Sequence, residues 1–240
     1  MNTTRKLSII IPCFNEAATI KEIIKRVVAV PLVGWDKEIV IVDDMSTDGT
    51  RDILQNIFQG YETSHTVVYH ASNQGKGSAV TTGLAHATGD YMLIQDADLE
   101  YDPAEIPKLM QALAIGTDTT GYTSHTVVYG SRNIEIHDRK MMLIPRIGVW
   151  FITLEFNILF GTHLTDLWTC YKLFPKSASQ YFTAGRFESE LSFTAKLIKN
   201  NFSIIEVPIS HKPRSFEQGK KIRYSDGIRG IVTIFTERFR

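Results

Sequence analysis

Asp96, Asp98 and Glu100 stand at alternate positions directly after the apolar run Tyr91-Met92-Leu93-Ile94. Carboxylates at i, i+2 and i+4 behind a buried strand deliver hard oxygen ligands to one edge of a sheet. Such ligands suit Mg2+ or Mn2+. The usual reason to hold such an ion in an α/β protein is to clamp a diphosphate. A lone Asp-x-Asp also occurs on many solvated loops, so its surroundings decide what it means.

The elements that must position these groups are readable from hydrophobic pattern. Residues 7–11, 38–42, 66–69 and 91–95 read as buried strands. Between them, residues 16–30 place Ile20, Ile23, Ile24, Val27 and Val28 on one helical face, with Asn15 as the expected cap. Asp48-Gly49-Thr50 opens a second helix, and Ala79, Val80, Gly83, Leu84 and Ala87 form a third stripe. Strands alternating with helices imply right-handed βαβ units and a mostly parallel sheet. Ligands of such sheets bind beyond the carboxyl ends of the strands. The polar pairs Asn15-Glu16, Asp43-Asp44 and Asp96-Asp98 all fall at those ends.

The second half is less regular. The pattern predicts strands at 126–129, 171–174 and 203–209, helices at 139–160, 188–200 and 224–239, and a polar loop at 213–222. No linker separates two domains. Thr63-Ser64-His65-Thr66-Val67-Val68-Tyr69 recurs as Thr123-Ser124-His125-Thr126-Val127-Val128-Tyr129, and each copy could enter the sheet. The duplication has no evident physical role, and none is assigned.

At 240 residues, 43% hydrophobic and 22% charged, the chain fits one domain with a sizeable core. Its formal net charge of +0 gives no global field for nucleic acid. From residue 211 onward, however, eight Lys and Arg face three Asp and Glu, a local basic patch suited to a phosphate-bearing partner. Two cysteines without metal-ligand spacing, and an N-terminus without a secretory apolar run, fit a cytoplasmic protein with reduced thiols. The seven histidines show no pairing that reads as a metal site. The apolar stretch 141–160 is interrupted by Pro145, Arg146, Glu155 and Asn157, so it reads as a buried or membrane-surface helix rather than a spanning one.

Several further segments carry a resemblance. They are Ile9-Ile10-Ile11-Pro12-Cys13-Phe14-Asn15-Glu16, Val42-Asp43-Asp44-Met45-Ser46-Thr47-Asp48-Gly49-Thr50, Asn73-Gln74-Gly75-Lys76-Gly77 and Asp96-Ala97-Asp98. Then come Gly130-Ser131-Arg132, Leu164-Thr165-Asp166-Leu167-Trp168-Thr169-Cys170-Tyr171-Lys172, and Pro213-Arg214-Ser215 followed by Gly219-Lys220-Lys221. In this order and spacing the chain resembles the family 2 glycosyltransferases of the GT-A fold, in the branch like dolichyl-phosphate mannose synthase. The resemblance implies an α/β, Rossmann-like, mostly parallel sheet flanked by helices in a single domain. Residues 1–132 would form the nucleotide-sugar half. Residues 133–240 would form the acceptor half, with the basic loop and a C-terminal amphipathic helix.

Within that pattern, Pro12 and Phe14 offer an apolar face to a nucleobase, and Glu16 accepts from ring N–H groups. Otherwise Phe14 is core and Glu16 favours a helix start. Val42 and Asp44 would meet base or ribose, while Asp43 supports the loop. Gly75-Lys76-Gly77 brings backbone and one ammonium to an anion at a helix start, or is an ordinary glycine-rich turn. Asp98 and Glu100 are the expected ligands of Mg2+ or Mn2+, with Asp96, beside Ala97, orienting ribose or sugar or contacting the metal through water. Many family members carry Gln where Glu100 stands. Arg132, Arg214 and Lys220 are expected to clamp phosphates, with Arg214 and Asp98 in the catalytic set. Asp166 occupies the place of a general base in many relatives. It would be the base for a hydroxyl acceptor, and would position the sugar or a cation for a phosphate acceptor.

The reading is an inverting, metal-dependent hexose transfer from GDP-mannose or UDP-glucose to a polyprenyl phosphate. The alternatives are a soluble transferase acting on a carbohydrate hydroxyl and a non-catalytic nucleotide-sugar binder. Ile228, Ile231, Val232, Phe235 and Phe239 make the last helix amphipathic. It and the 141–160 helix either lie on a membrane surface or pack on the sheet.

Overall fold

The structure is a computed structural model that describes residues 4–115, 125–134, 143–214 and 224–240. Its strands are β1 (Arg5–Cys13), β2 (Trp35–Asp43), β3 (Ser64–Tyr69), β4 (Tyr91–Ile94), β5 (Thr126–Ser131), β6 (Lys172–Pro175) and β7 (Ser203–Pro208). Its helices are α1 (Ile20–Ala29), α2 (Thr50–Leu54), α3 (Lys76–His86), α4 (Ile106–Ile115), α5 (Leu143–Phe160), α6 (Ser189–Lys199) and α7 (Tyr224–Phe239).

The strands form one sheet in the order β3-β2-β1-β4-β6-β5-β7. β1 runs parallel to β2 and β4, β2 to β3, and β5 to β7; β6 is antiparallel to β4 and β5. The expected mostly parallel sheet is therefore present, with one reversed strand near its middle. Side chains alternate across it. Ile9, Ile11, Ile39, Ile41 and Leu93 pack with α1 and α4 on one face. Ile10, Val40, Met92, Ile94 and Phe174 pack with α3 and α6 on the other. A third apolar cluster joins Ile152 and Phe156 of α5 to Leu191 of α6 and Ile234 of α7.

Two sequence expectations need correction. Asn15 does not cap α1, which starts at Ile20. Asn15 instead adopts φ 51°, a left-handed conformation that Asn tolerates, and ties two loops together. The helix α4 has no counterpart in the sequence reading. Its Pro107 sits in the first helical turn, where its missing N–H costs nothing.

The repeated heptapeptide enters the sheet twice in different settings. The first copy forms the edge strand β3 and is largely solvated, whereas Thr126–Ser131 of β5 is buried throughout. Thr123 and Ser124 lie outside the described residues, as do 139–142 of the expected long helix, His137 and the basic-loop residues 215–222.

Candidate active site

The loops after β1, β2, β4 and β5 converge on a cleft of about 440 Å3, closed by the segments 168–170, 186–187 and 211–214. Pro12, Phe14, Glu16, Asp44, Lys76, Asp96, Ala97, Asp98, Glu100, Arg132 and Arg214 all line it. Val42 does not: it is buried in β2 and faces Gly83 of α3. Asp166 is buried behind the wall, and Lys220 lies outside the described residues.

The first two loops are tied to each other. The Asn15 N–H donates to Ser46 Oγ (2.8 Å), the Thr47 N–H donates to Asn15 Oδ1 (2.8 Å), and the Glu16 N–H donates to Thr50 Oγ1 (2.9 Å). Asp43 accepts from Arg51 Nε (2.6 Å) and from the Ser46 N–H (3.2 Å), which braces the loop. Asp44 accepts from the Gln74 and Gly75 N–H groups (2.8 and 2.7 Å) and pairs with His70 Nδ1 (2.8 Å). Its carboxylate thus anchors the 74–75 turn at the cleft wall.

The glycines of that turn answer to close packing. A Cβ on Gly77 would fall 2.2 Å from Ser189 Oγ, and Gly75 has φ 91° with Gly185 O only 3.0 Å from a built Cβ. The Ser78 N–H donates to Gly185 O (3.1 Å), so one free donor at the start of α3 is already satisfied. What this turn presents to the cleft is the Lys76 ammonium, 2.7 Å from Asp96 Oδ1. Burial opposes its charge, yet neighbouring charges, Asp96 foremost, hold its pKa well above the ordinary lysine value.

The acid cluster follows β4. Asp98 Oδ2 meets Arg214 Nη2 at 3.1 Å, and Asp98 Oδ1 accepts from the Glu100 N–H (3.1 Å). Glu100 accepts from the Arg214 N–H (2.9 Å) and pairs with His211 Nε2 (3.1 Å). Arg214 also forks onto Glu16 (3.0 and 3.1 Å). Burial first, then the charges of Asp96 and Glu100, push the Asp98 carboxyl up to about 7. Its partner Glu100 is lowered despite burial, because His211 and Arg214 bind its charged form. Leu99, between the two, sits at φ 63°. A left-handed leucine is strained, and Asn15 and Met45 on the adjoining loops share that conformation.

These carboxylates fit a divalent cation. They crowd negative charge that Arg214 offsets only in part. Among the described residues no three His, Cys, Asp or Glu groups form a preformed metal cage. That suits an ion held by one or two carboxylates with phosphate oxygens and waters completing its shell.

Elsewhere in the cleft lining, Arg132 Nε and Nη2 meet the two oxygens of Asp166 at 2.6 and 2.7 Å, and the Arg132 N–H adds a bond at 3.0 Å. Burial opposes the charge on Arg132, but Asp166 holds its pKa well above the usual arginine value. Glu206 of β7 accepts from the Thr165 and Asp166 N–H groups (2.7 and 2.9 Å) and so fixes the loop that carries Asp166.

The sequence reading passed over several groups here. Tyr101, Trp168, Cys170, Arg186 and Phe187 line the cleft, and His211 braces Glu100. Trp168 and Cys170 lie inside a quoted motif. Arg186 and Phe187 precede α6 without any periodic signal. Cys170 is free, and burial pushes its thiol well up, which disfavours the thiolate form.

The comparisons agree with this architecture. The chain superimposes on glucosyl-3-phosphoglycerate synthase from Mycobacterium tuberculosis in complex with uridine-diphosphate with a TM-score of 0.70, 18% identity, and coverage of 98% of this chain and 80% of that one. The same enzyme with Mn2+, uridine-diphosphate-glucose and phosphoglyceric acid gives a TM-score of 0.69 at 18% identity over 98% and 80% of the two chains. At that identity the likeness establishes the GT-A fold. Undecaprenyl-phosphate 4-deoxy-4-formamido-L-arabinose transferase from Enterobacter sp. (strain 638) is 28% identical over 218 residues, 90% of this chain and 62% of that protein. Its counterpart from Edwardsiella ictaluri (strain 93-146) is 37% identical over 120 residues, 50% of this chain and 37% of that one. The chain therefore spans less than two thirds of the length of these relatives. The family model described as Glycosyl transferase family 2 matches residues 8–182, which takes in all four strand-end loops of the cleft and the Arg132–Asp166 pair. With nearly three quarters of its length under that match, the chain belongs to glycosyl transferase family 2.

Proposed function

We propose that the chain transfers a hexose from GDP-mannose or UDP-glucose to a polyprenyl phosphate with inversion at the anomeric carbon. The observation that carries this reading is the gathering, in one cleft, of the acid cluster Asp96-Asp98-Glu100 with the cations Lys76, Arg132 and Arg214, two of which pair directly with its carboxylates. Pro12 and Phe14, which line the cleft, would take the base, with Glu16 accepting from its ring N–H groups. Asp98 and Glu100 would hold Mg2+ or Mn2+, which when bound neutralises charge developing on the departing nucleoside diphosphate. Asp96 would take ribose or sugar hydroxyls. Lys76, Arg214 and Lys220 would hold donor phosphates. Arg132 would orient the acceptor.

The displacement is direct. An acceptor phosphate oxygen forms a bond to the anomeric carbon as the bond from that carbon to the β-phosphate oxygen breaks, and the electron pair leaves with the diphosphate. A phosphate acceptor is already anionic near neutral pH, so no base is required. Support for it over a hydroxyl acceptor comes from Asp166, whose two oxygens are both committed to Arg132. The undecaprenyl-phosphate transferases named above point the same way.

A lipid-linked acceptor implies work at a membrane surface. Among the described residues no helix is long and apolar enough to cross a bilayer. Peripheral association on the cytoplasmic face through the outer sides of α5 and α7 is the form this reading takes.

The test is thermal stabilisation by a panel of nucleotide sugars with and without Mn2+, followed by transfer assays on undecaprenyl phosphate. Ligands that bind the native state must raise its apparent stability. A metal-dependent rise with one donor, and sugar transfer to the lipid phosphate, is the expected result. No metal-dependent shift with any donor would overturn the reading.

A further inference from the structure

A line of four alternating charges crosses the interior and ends in the cleft. Lys172 opens β6 and is fully buried. Its Nζ donates to the Thr169 carbonyl, lies 3.0 Å from Glu190 Oε2 and sits 4.8 Å from the Tyr129 ring centre. Glu190, in the first turn of α6, is 2% exposed. Among the described residues its Oε1 has no hydrogen-bond partner, and it lies 3.6 Å from Lys76 Nζ. Lys76 in turn meets Asp96 Oδ1 at 2.7 Å. Lys76 and Asp96 line the cleft, whereas Glu190 and Lys172 do not.

Burying an ammonium is costly unless charges oppose it. Lys76 has two such charges. Asp96 takes a full hydrogen bond, while Glu190 at 3.6 Å attracts without taking one. An ammonium carries three donors, so this arrangement leaves some free for a ligand. Backbone packing sets the distance. Gly77 and Gly185 both abut Ser189, and the Ser78 N–H donates to Gly185 O, which presses the first turn of α6 onto the first turn of α3.

We propose that Glu190 is a positioning residue: it holds the Lys76 ammonium at the cleft wall so that Lys76 addresses the donor's phosphates while Asp96 turns to the sugar nucleotide, and Lys172 balances Glu190 from behind. The proposal rests on the reading of the cleft as a nucleotide-sugar site. Glu190 acts through Lys76 and need not touch substrate.

The test is calorimetric binding of uridine and guanosine mono- and diphosphates with Mn2+ to the full chain. Glu190→Gln is expected to weaken the diphosphate on the order of 10-fold, the size of a lost charge-assisted contact, and to leave the monophosphate within about 2-fold. That change in preference is a readout that general loosening does not produce. Glu190→Gln strands Lys172, so it is paired with Lys172→Met in a double variant. The double variant is expected to recover the melting temperature while the preference stays lost. Lys172→Met alone keeps both Glu190 and Lys76 and is expected to retain the preference. A folded double variant with the wild-type preference would overturn the proposal, and so would loss of preference in Lys172→Met alone. If the wild type binds neither diphosphate, the nucleotide-sugar reading itself fails and the proposal falls with it.

Discussion

Asp166 and Arg132 form a closed pair: the arginine fork meets both carboxylate oxygens at 2.6 and 2.7 Å, with Asp166 fully buried and Arg132 facing the cleft. The pair links a loop after β5 to one held by Glu206 of β7, and it sends a positive charge of fixed direction into the site. Breaking one side of a buried pair leaves an uncompensated charge. Asp166→Asn is therefore expected to lower kcat/KM on the order of 10–100-fold, mainly by raising the acceptor KM, as a misplaced positioning group does. The acid limb of the pH–rate profile should persist. Steady-state kinetics across pH checks this, since a base role predicts near-complete loss of kcat together with that limb.

Asp98 makes the site sensitive to pH. Burial, then Asp96 and Glu100, raise its carboxyl from 3.8 to about 7, with Arg214 pulling the other way. A carboxyl raised on folding makes the folded state bind more protons. Its contribution to stability is fully present below the unfolded value and is lost as pH rises toward about 7. The metal-free protein should thus lose melting temperature between about pH 4 and about pH 7, and Asp98→Asn should flatten that slope. Mn2+ prefers the ionised carboxylate, so its stabilising effect should grow over the same interval. Differential scanning fluorimetry of both proteins decides it, and identical slopes would count against the assignment.

Arg214 bridges Glu16 and Asp98 and lies 3.8 Å from Glu100, so it occupies the charge-balancing place that a divalent cation would take. Arg214→Gln removes that competitor. Mn2+ affinity of the nucleotide-free protein is expected to rise, while turnover falls because a phosphate contact is lost. Titration calorimetry with Mn2+ alone measures the first effect. Unchanged or weaker binding would mean that Arg214 does not compete for the acid cluster.

Gly77 is required by a neighbour far along the chain. A built Cβ meets Ser189 Oγ at 2.2 Å, Ser189 Cβ at 2.7 Å and Arg186 O at 2.9 Å. Gly77→Ala is expected to cost about 1–3 kcal/mol by overpacking, read as a lower midpoint in urea. Adding Ser189→Gly should recover part of that cost, because two of the three close atoms leave. A neutral Gly77→Ala would show that the two first turns can separate freely.

That clash also shows where sequence reading stops. Ile20, Ile23, Ile24 and Val27 announce α1 by their spacing, and the strand-end carboxylates announce the cleft, because both signals are local. Glycine at position 77 looks like a phosphate loop until Ser189 is brought beside it. The pairings Arg132–Asp166, Arg214–Glu16 and Lys76–Glu190 join residues 34 to 198 positions apart, and no local period encodes them. Val42 shows the reverse error. It sits inside a family motif, yet it lies within β2 with its side chain against Gly83 of α3, whereas Asp44 lies just past the strand end, where the chain turns and its carboxylate reaches the cleft wall. The helix α4 has no counterpart in the sequence reading, although its Pro107 sits in the first turn, where proline is compatible with a helix.

The outer sides of α5 and α7 carry the last prediction. The helices lie side by side: Gly230 abuts Ile152, and the Arg238 guanidinium lies 5.9 Å from the Phe160 ring centre. Ile147, Trp150, Phe151, Leu154 and Ile158 are exposed on one, and Ile228, Ile231, Val232, Phe235 and Phe239 on the other, with the same i, i+3, i+4, i+7, i+11 spacing. Both helices already bury an inner apolar side through Ile152, Phe156 and Ile234, so among the described residues the outer one serves no internal packing. An exposed apolar face of this kind marks an interaction site, and the exposed Arg229, Arg238 and Arg240 favour an anionic one. Trp168 connects it to chemistry, since it lines the cleft and abuts Gly230. The chain should sediment with phosphatidylglycerol vesicles more than with phosphatidylcholine vesicles, and less so at high salt. Trp150→Glu and Phe235→Glu should abolish that binding and slow transfer to a lipid-linked acceptor, while the donor-induced rise in melting temperature is kept. Undiminished vesicle binding in both variants would refute a membrane role for this face. Conversion of a dimer to a monomer by the same substitutions would assign the face to a second copy of the chain instead.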